Sequence, residues 1–245
     1  MPLLLLCIIL IFAIPKRGTG IRACVVLIRL FLSLASVFPA TAQSEHPLTG
    51  RKIAPVMGVG GADWLERSER EKEEAPSAAI ESLGIQKGMN IADVGAGTGY
   101  FSIRLARRVG PAGKVYANDI QPEMLDKLRE KTQNEGITNI ETVLGSEADP
   151  KLPPGKMDIV IMVDVYHELS QPQAMLQKIR ASLKPNGRLI LLEYRKEDPA
   201  IPIRPEHKMS VAEVKTEVEA EGFKLDKVLD TLPRQHILFF KKQSM

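Results

Sequence analysis

Three glycines at alternate positions, Gly95, Gly97 and Gly99, form the stretch of this sequence best suited to holding a small molecule. Glycine lets a backbone turn sharply and approach a ligand without a Cβ in the way. Asp93 stands two residues before the first glycine, and Asp119 stands at the end of the next apolar stretch. A carboxylate at Asp119 can accept hydrogen bonds from both hydroxyl groups of a ribose. The set therefore predicts a cradle for a small molecule.

The spacing of these glycines disfavours two common cradles. A dinucleotide site has the pattern G-x-G-x-x-G, whereas here the third glycine comes one position early and Tyr100 stands where that pattern has glycine. A nucleotide-binding P-loop ends in Gly-Lys-Ser/Thr, which does not follow. An oxidoreductase that binds a dinucleotide is thus the disfavoured alternative, and the remaining pattern is acid-x-G-x-G-x-G.

Alternating strands and helices must position these residues. The apolar residues 89–94 predict a strand that leads into the glycines, and a predicted helix over 100–109 directs its free N–H groups at the same place. Further strands are predicted at 114–118, 140–144, 157–163, 187–193, 223–230 and 235–241, and further helices at 122–135, 171–183 and 210–221. This alternation is typical of a parallel sheet covered by helices on both faces.

The last two predicted strands break this rhythm. Only residues 231–234 separate them, and four residues allow an antiparallel hairpin but no parallel crossover. The predicted fold class is therefore α/β, a doubly wound and mostly parallel seven-stranded sheet with an antiparallel C-terminal strand.

The stretch 93–99 resembles the first motif of the class I S-adenosylmethionine-dependent methyltransferases, and Asp-Ile-Gln-Pro-Glu-Met-Leu at 119–125 resembles their second. The stretch 119–125 and Leu-Lys-Pro-Asn-Gly-Arg-Leu at 183–189 are most similar to the branch of the ubiquinone/menaquinone-biosynthesis C-methyltransferases and their small-molecule relatives. The resemblance covers roughly residues 77–241. It implies a Rossmann-like methyltransferase fold, S-adenosyl-L-methionine as cofactor, and methyl transfer to a small or lipid-like acceptor that these motifs do not identify.

The resemblance also implies a set of cofactor-binding residues. After the third strand, the family often has an acidic residue directly after a glycine. In this chain Ser146 follows Gly145 at that place, so Glu147 or Asp149 is the acidic residue that could substitute. The cofactor-binding residues expected are Asp93, Gly95, Ala96, Gly97, Gly99, Asp119, Ile120, Ser146, Glu147 and Asp164.

After the fourth strand, the chain reads Val-Asp-Val-Tyr-His-Glu-Leu, which corresponds to the family's fourth motif. His167 is expected as a general base on the acceptor, because histidine titrates near neutral pH, with a structural histidine as the alternative. Tyr166 is expected to line the acceptor pocket, and Glu193 either to face the same cleft or to be solvated. No metal site is predicted, since Gln171 stands where H-E-x-x-H needs its second histidine. His46, His207 and His236 are isolated in the sequence and receive no role.

Residues 1–42 differ in composition from the rest. Apolar runs surround Arg22 and end in Ala40-Thr41-Ala42, a small-x-small site that suits a signal peptidase. An export signal, and hence a periplasmic or secreted protein, is expected. The alternative is a retained membrane anchor that holds the domain at the cytoplasmic face.

The segment 1–42 changes what the composition implies about cysteine chemistry and charged partners. It contains both cysteines, Cys7 and Cys24, so the remainder has no thiol for a nucleophile or a zinc-thiolate site. Four of the 33 Lys and Arg residues lie in it and none of the 30 Asp and Glu residues does, so the remainder carries a formal charge of about −1. Nucleic acid is therefore not expected as a partner, and the oligomeric state is open.

Residues 43–76 are expected to form an arm, followed by the methyltransferase domain at 77–245. The charge run Glu66–Glu74 is typical of a solvated helix face with i,i+4 ion pairs, and the alternative is a lid whose Trp64 closes over the site. A methyltransferase is the function expected, and a cofactor-binding module without turnover is the alternative from another class.

Overall fold

The computed structural model describes residues 44–243, in which strands and helices alternate. The strands are β1 (Asn90–Val94), β2 (Lys114–Asp119), β3 (Ile140–Leu144), β4 (Met157–Val163), β5 (Leu183–Arg195), β6 (Lys208–Met209), β7 (Phe223–Leu229) and β8 (Gln235–Lys242). The helices are α1 (Ala62–Leu65), α2 (Arg70–Glu74), α3 (Pro76–Ser82), α4 (Tyr100–Val109), α5 (Pro122–Asn134), α6 (Pro172–Ser182) and α7 (Val211–Ala220). Short 3-10 helices occupy Val59–Gly61, Tyr166–Glu168 and Pro205–His207.

The strands form one sheet in the order β3-β2-β1-β4-β5-β8-β7, and the two-residue β6 pairs with β5 outside this path. The pairs from β3 to β5 are parallel, whereas β8 runs antiparallel to both β5 and β7. The predicted α/β sheet with a reversed C-terminal strand is thereby confirmed. The additional strand β6 is too short to show a periodic pattern in the sequence.

Helices cover both faces of the sheet. In β4, Val160 and Met162 point into the cluster that packs on α6 and α7, while Ile159 and Ile161 point into the cluster that packs on α3 and α4. A parallel strand buried on both faces needs a continuous apolar run, which is why 157–163 shows no alternation. The connection after β1 leads toward one edge of the sheet, and the connection after β4 leads toward the other edge. A crevice therefore opens at the carboxyl ends of β1 and β4.

The N-terminal segment 44–54 is held against the domain by a buried ion pair. Arg51 donates hydrogen bonds from Nε and Nη2 to the carboxylate of Glu217 on α7, at 2.9–3.1 Å. Its Nη1 also donates to the backbone carbonyl of His167 at 3.1 Å. Because both charged side chains are almost fully buried, loss of either would leave the other without compensation.

The charge run at 66–74 is not the solvated helix face that its pattern predicts. Only α2 is helical within it, and both Arg70 and Glu74 are buried. The carboxylate of Glu74 accepts hydrogen bonds from Arg67, from Arg70 and from the hydroxyl of Tyr194 on β5. The run therefore attaches the arm to the sheet. Within residues 44–243, no helix has the length and apolar character needed to span a bilayer.

Candidate functional site

The loop between β1 and α4 depends on its three glycines. Gly95, Gly97 and Gly99 have φ values of 76°, 53° and 87°, in the region that side chains disfavour. A Cβ at Gly95 would lie 2.4 Å from the Val165 side chain, and one at Gly99 would lie 2.1 Å from Leu128. The glycines thus permit both the turn and the close approach of the neighbouring segments.

Backbone hydrogen bonds fix the path of this loop. The N–H groups of Gly95 and Ala96 both donate to the carbonyl oxygen of Asn118, at 2.9 and 2.8 Å. The N–H of Gly97 donates to Oδ2 of Asp119 at 2.8 Å. The end of β2 therefore holds the loop in position, and the first turn of α4 presents its free N–H groups beside it.

Asp119 lies on the pocket wall at the end of β2, with 6% of its surface exposed. Its Oδ1 accepts a 2.9 Å hydrogen bond from the N–H of Gln121. Burial raises the pKa of this carboxyl, against the effect of its backbone hydrogen bonds, which lower it. Each carboxylate oxygen keeps a second lone pair for a ligand hydroxyl. Ile120 beside it also lines the pocket and is 37% exposed.

Asp93 and Ser146 do not lie on the pocket wall. Oδ2 of Asp93 accepts a 2.6 Å hydrogen bond from the Ser102 hydroxyl on α4, and burial raises the pKa of Asp93 to about 6. Ser146 forms a local turn with Asp149. Neither therefore contacts the pocket directly, because β1 turns Asp93 toward α4 and the loop after β3 turns Ser146 outward. Glu147 does line the pocket and accepts a 2.8 Å hydrogen bond from the hydroxyl of Ser170.

Asp164 follows β4 and has the features of a ligand-binding carboxylate. It is a non-glycine residue with a φ of 53°, and it lines the pocket. Its Oδ2 accepts a 2.7 Å hydrogen bond from Gln235, whereas its buried Oδ1 has no partner among the described residues. Burial, together with the nearby Glu74 and Glu193, raises its pKa well above the usual range. An unpaired buried oxygen at a pocket wall suits an N–H donor of a ligand.

The arm supplies an apolar part of the pocket wall beside the glycine loop, where a Cβ at Gly97 would lie 2.9 Å from the Leu65 side chain. Val56, Met57, Trp64 and Leu65 line the same pocket as Gly95, Gly97 and Asp119, whereas Ala96 and Gly99, also expected as cofactor-binding residues, are not on its wall. Arg67 stacks over the Trp64 ring, 3.8 Å from its centroid, and the indole is still 37% exposed. The arm therefore forms part of the pocket wall, and its role as a lid stays a prediction.

The two predicted catalytic residues lie behind the pocket. Tyr166 has no exposed surface, and its ring packs in the core beneath Arg51. The prediction that it lines the acceptor pocket is therefore not met in this structure. His167 is 2% exposed and is also absent from the pocket wall. The 3-10 helix after β4 turns both side chains inward and leaves Glu168 on the wall. The base role of His167 stays a prediction, without a direct path to the pocket in this structure.

His167 belongs to a cluster that the sequence did not reveal. Its Nδ1 donates to Oε2 of Glu193 at 2.6 Å, and its Nε2 lies 3.1 Å from Nδ1 of His207. Glu193 is fully buried, so it is neither solvated nor in the cleft. Burial raises the pKa of the neighbouring Glu168 to about 7. The sequence assigns no role to His207, because it lies 40 residues after His167 and only the loop between β5 and β6 brings the two side chains together.

The comparisons with known proteins agree with this geometry. The model of a methyltransferase-domain family matches residues 85–234. The chain is 34% identical over 118 residues to the ubiquinone/menaquinone biosynthesis C-methyltransferase UbiE of Pasteurella multocida, and 33% identical over 125 residues to that of Francisella tularensis subsp. novicida. These alignments cover 48% and 51% of this chain, but only 44% and 49% of the two relatives.

A solved structure extends the likeness over a larger part of the chain. It is an S-adenosylmethionine-dependent methyltransferase from Aquifex aeolicus, with a TM-score of 0.72 and 28% identity, and the match covers 76% of this chain and 98% of that one. The site fits the same cofactor, because buried carboxylates face a pocket whose glycines leave room for it. S-adenosyl-L-methionine is therefore the cofactor. The chain belongs to the class I S-adenosylmethionine-dependent methyltransferases.

Proposed function

We propose that this chain transfers a methyl group from S-adenosylmethionine to a carbon atom of a small, largely apolar acceptor, such as a quinone-like ring. One observation carries the proposal: a single pocket joins the polar cradle at Gly95 and Asp119 to the apolar wall formed by Met57, Trp64 and Leu65. The names of the relatives support the class of acceptor, since both are C-methyltransferases of ubiquinone and menaquinone biosynthesis.

The residues of the pocket have separate tasks in this proposal. The carboxylates of Asp119 and Asp164 hold the hydroxyl and ammonium groups of the cofactor by charge-assisted hydrogen bonds. The arm residues Trp64 and Leu65 close over the acceptor, exclude water and hold the acceptor carbon in line with the methyl group. When bound, S-adenosylmethionine supplies a methyl group already activated on a sulfonium. Alignment is therefore the main task of the chain.

A module that binds the cofactor without turnover is not supported, because the matching family and the relatives are methyltransferases. A nucleic-acid acceptor is not proposed either, because the part of the pocket wall formed by Val56, Met57, Trp64 and Leu65 is apolar. An apolar wall suits a small ring that buries its faces, since each Å² of apolar surface removed from water contributes about 25 cal/mol.

The test is a methyl-transfer assay with cofactor labelled in the methyl group and a demethylated menaquinol with a short side chain. We expect labelled product with the label on a ring carbon, located by mass spectrometry. Trp64→Ala should raise KM for the quinol at least several-fold while leaving the affinity for S-adenosylhomocysteine within about threefold. Label on oxygen or nitrogen, or transfer to hydrophilic acceptors only, would contradict the proposal.

We further propose that residues 1–42, which lie outside the described residues, act as an export signal, with a membrane anchor as the alternative. The apolar runs and the small-x-small site at 40–42 support this proposal. N-terminal sequencing of the protein from cell fractions tests it. A first residue at Gln43 in the periplasm is expected, while an intact N-terminus in the membrane fraction would favour the anchor.

A further inference from the structure

The cluster behind the pocket has the composition and spacing of a metal site. It joins the 3-10 helix Tyr166–Glu168 to the 3-10 helix Pro205–His207, which pack against each other. Nε2 of His167 lies 3.1 Å from Nδ1 of His207, and each of these nitrogens lies 4.0 Å from Oε1 of Glu168. Three ligand atoms from two segments therefore converge on one point.

We propose that His167, Glu168 and His207 bind one divalent transition-metal ion, and that the ion is zinc. Two nitrogen ligands about 2.0–2.1 Å from a tetrahedral zinc ion lie about 3.3 Å apart, close to the observed separation of the two imidazoles. The carboxylate oxygen, now 4.0 Å from both nitrogens, must move inward by about 0.7–0.8 Å, which a rotation about its side-chain bonds provides. Two imidazoles with one carboxylate form the ligand set of catalytic zinc sites that keep a fourth position open.

The surroundings of His167 prepare it to be a ligand. The carboxylate of Glu193 accepts a 2.6 Å hydrogen bond from Nδ1–H of His167, so that the neutral imidazole has its lone pair on Nε2, on the side of His207. The other oxygen of Glu193 accepts the backbone N–H of Tyr166 at 2.9 Å, so the carboxylate is itself fixed. Such carboxylate–histidine pairs orient metal ligands and determine their tautomer.

The chemistry of the donors selects the kind of ion. Magnesium and calcium prefer oxygen ligands, whereas imidazole nitrogens suit zinc and its neighbours in the first transition row. Arg51 and Ala54 both donate to the carbonyl of His167, at 3.1 and 3.0 Å, so the backbone that carries two of the ligands is anchored. The site thus has a rigid part at His167 and an adjustable part at Glu168 and His207.

The position of the site connects it to the pocket. Glu168 is common to both, since its side chain belongs to the cluster and also lines the pocket. An ion bound there would fix the Glu168 carboxylate at the wall of the pocket that receives the acceptor. This use of the ion rests on the proposed function, whereas binding of the ion does not.

The test is titration of the full chain, without a polyhistidine tag and after removal of metal by a chelator, with Co²⁺ and then Zn²⁺. We expect one equivalent of Co²⁺ to bind with the strong visible absorption of a tetrahedral site, and Zn²⁺ to displace it and raise Tm. His207→Ala should weaken Co²⁺ binding at least tenfold and abolish the increase in Tm. The His207 side chain is 23% exposed, so this change spares the core.

Glu206→Gln on the same 3-10 helix is the matched control, because Glu206 is outside the cluster. It should change affinity for Co²⁺ by less than about threefold. Equal binding by His207→Ala and the unaltered chain would overturn the proposal and assign the metal elsewhere, for example to Cys7 and Cys24. Absence of binding would overturn it too, and the weak absorption of an octahedral ion would overturn the assignment to zinc. None of these readouts depends on methyl transfer.

Discussion

Asp119→Asn removes a negative charge that fixes the glycine loop and the adjacent part of the pocket wall through hydrogen bonds. The two oxygens of Asp119 accept the N–H groups of Gly97 and Gln121, at 2.8 and 2.9 Å. Asparagine has one oxygen and one NH₂ group, so one of these N–H donors must face another donor. Loss of a charge-assisted hydrogen bond costs about 1.5–3 kcal/mol. Together with weaker contacts to the ligand, this predicts a rise in the cofactor Kd of about 10- to 150-fold.

Isothermal calorimetry with S-adenosylhomocysteine measures this effect, because the product binds without reacting. Asp126→Asn is the matched control, since Asp126 is an exposed residue on α5 that pairs with the exposed Arg129. It should leave Kd unchanged within about twofold. A thermal melt of each variant separates a weakened site from an unfolded chain. A folded Asp119→Asn variant that retains the original Kd would refute the assignment of this carboxylate to the cofactor.

Three further changes test other parts of the structure. Gly95→Ala should cost about 1–3 kcal/mol more in free energy of unfolding than Gly136→Ala, measured by urea titration, because both glycines have positive φ but a Cβ has open space only at Gly136. Arg51→Ala should lower the free energy of unfolding by about 3–5 kcal/mol, since it leaves Glu217 buried without its partner; a loss below 1 kcal/mol would contradict this. Burial raises the pKa of Asp93 from 3.8 to about 6, so the folded state binds more protons between these values and stability falls by about 3 kcal/mol as pH rises through them. Asp93→Asn should lack that part of the pH dependence, and equal slopes for both proteins would contradict it.

The sheet was predictable because its signals are local. Each strand of the parallel part is a short apolar run bounded by turn residues, and the length of the last connection alone fixes the antiparallel hairpin. The extent of β5 was not predictable. Pro185, Asn186 and Gly187 form a turn signal, yet they lie inside the strand Leu183–Arg195, where the register with β4 shifts. Tertiary pairing outweighs local turn preference at such a place.

The site was predictable where one loop contains it and not where distant segments meet. Gly95, Gly97 and Asp119 share a motif of known spacing, and all three line the pocket. The contact between His167 and His207, in contrast, depends on the path of the chain after β5. The sequence pattern also gives no sign that Tyr166 turns inward. Neighbouring residues of a 3-10 helix point in different directions, and only the structure shows that Glu168 is the one that faces the pocket.

The most direct test uses the fluorescence of Trp64, which is the only tryptophan of the sequence and lines the pocket. Titration of the full chain with S-adenosylmethionine should give a saturable change in emission with one ligand per chain, and NAD should give none. S-adenosylhomocysteine should produce the same saturation and compete with S-adenosylmethionine. Saturable binding of NAD without binding of S-adenosylmethionine would contradict the assignment of the glycine loop to this cofactor.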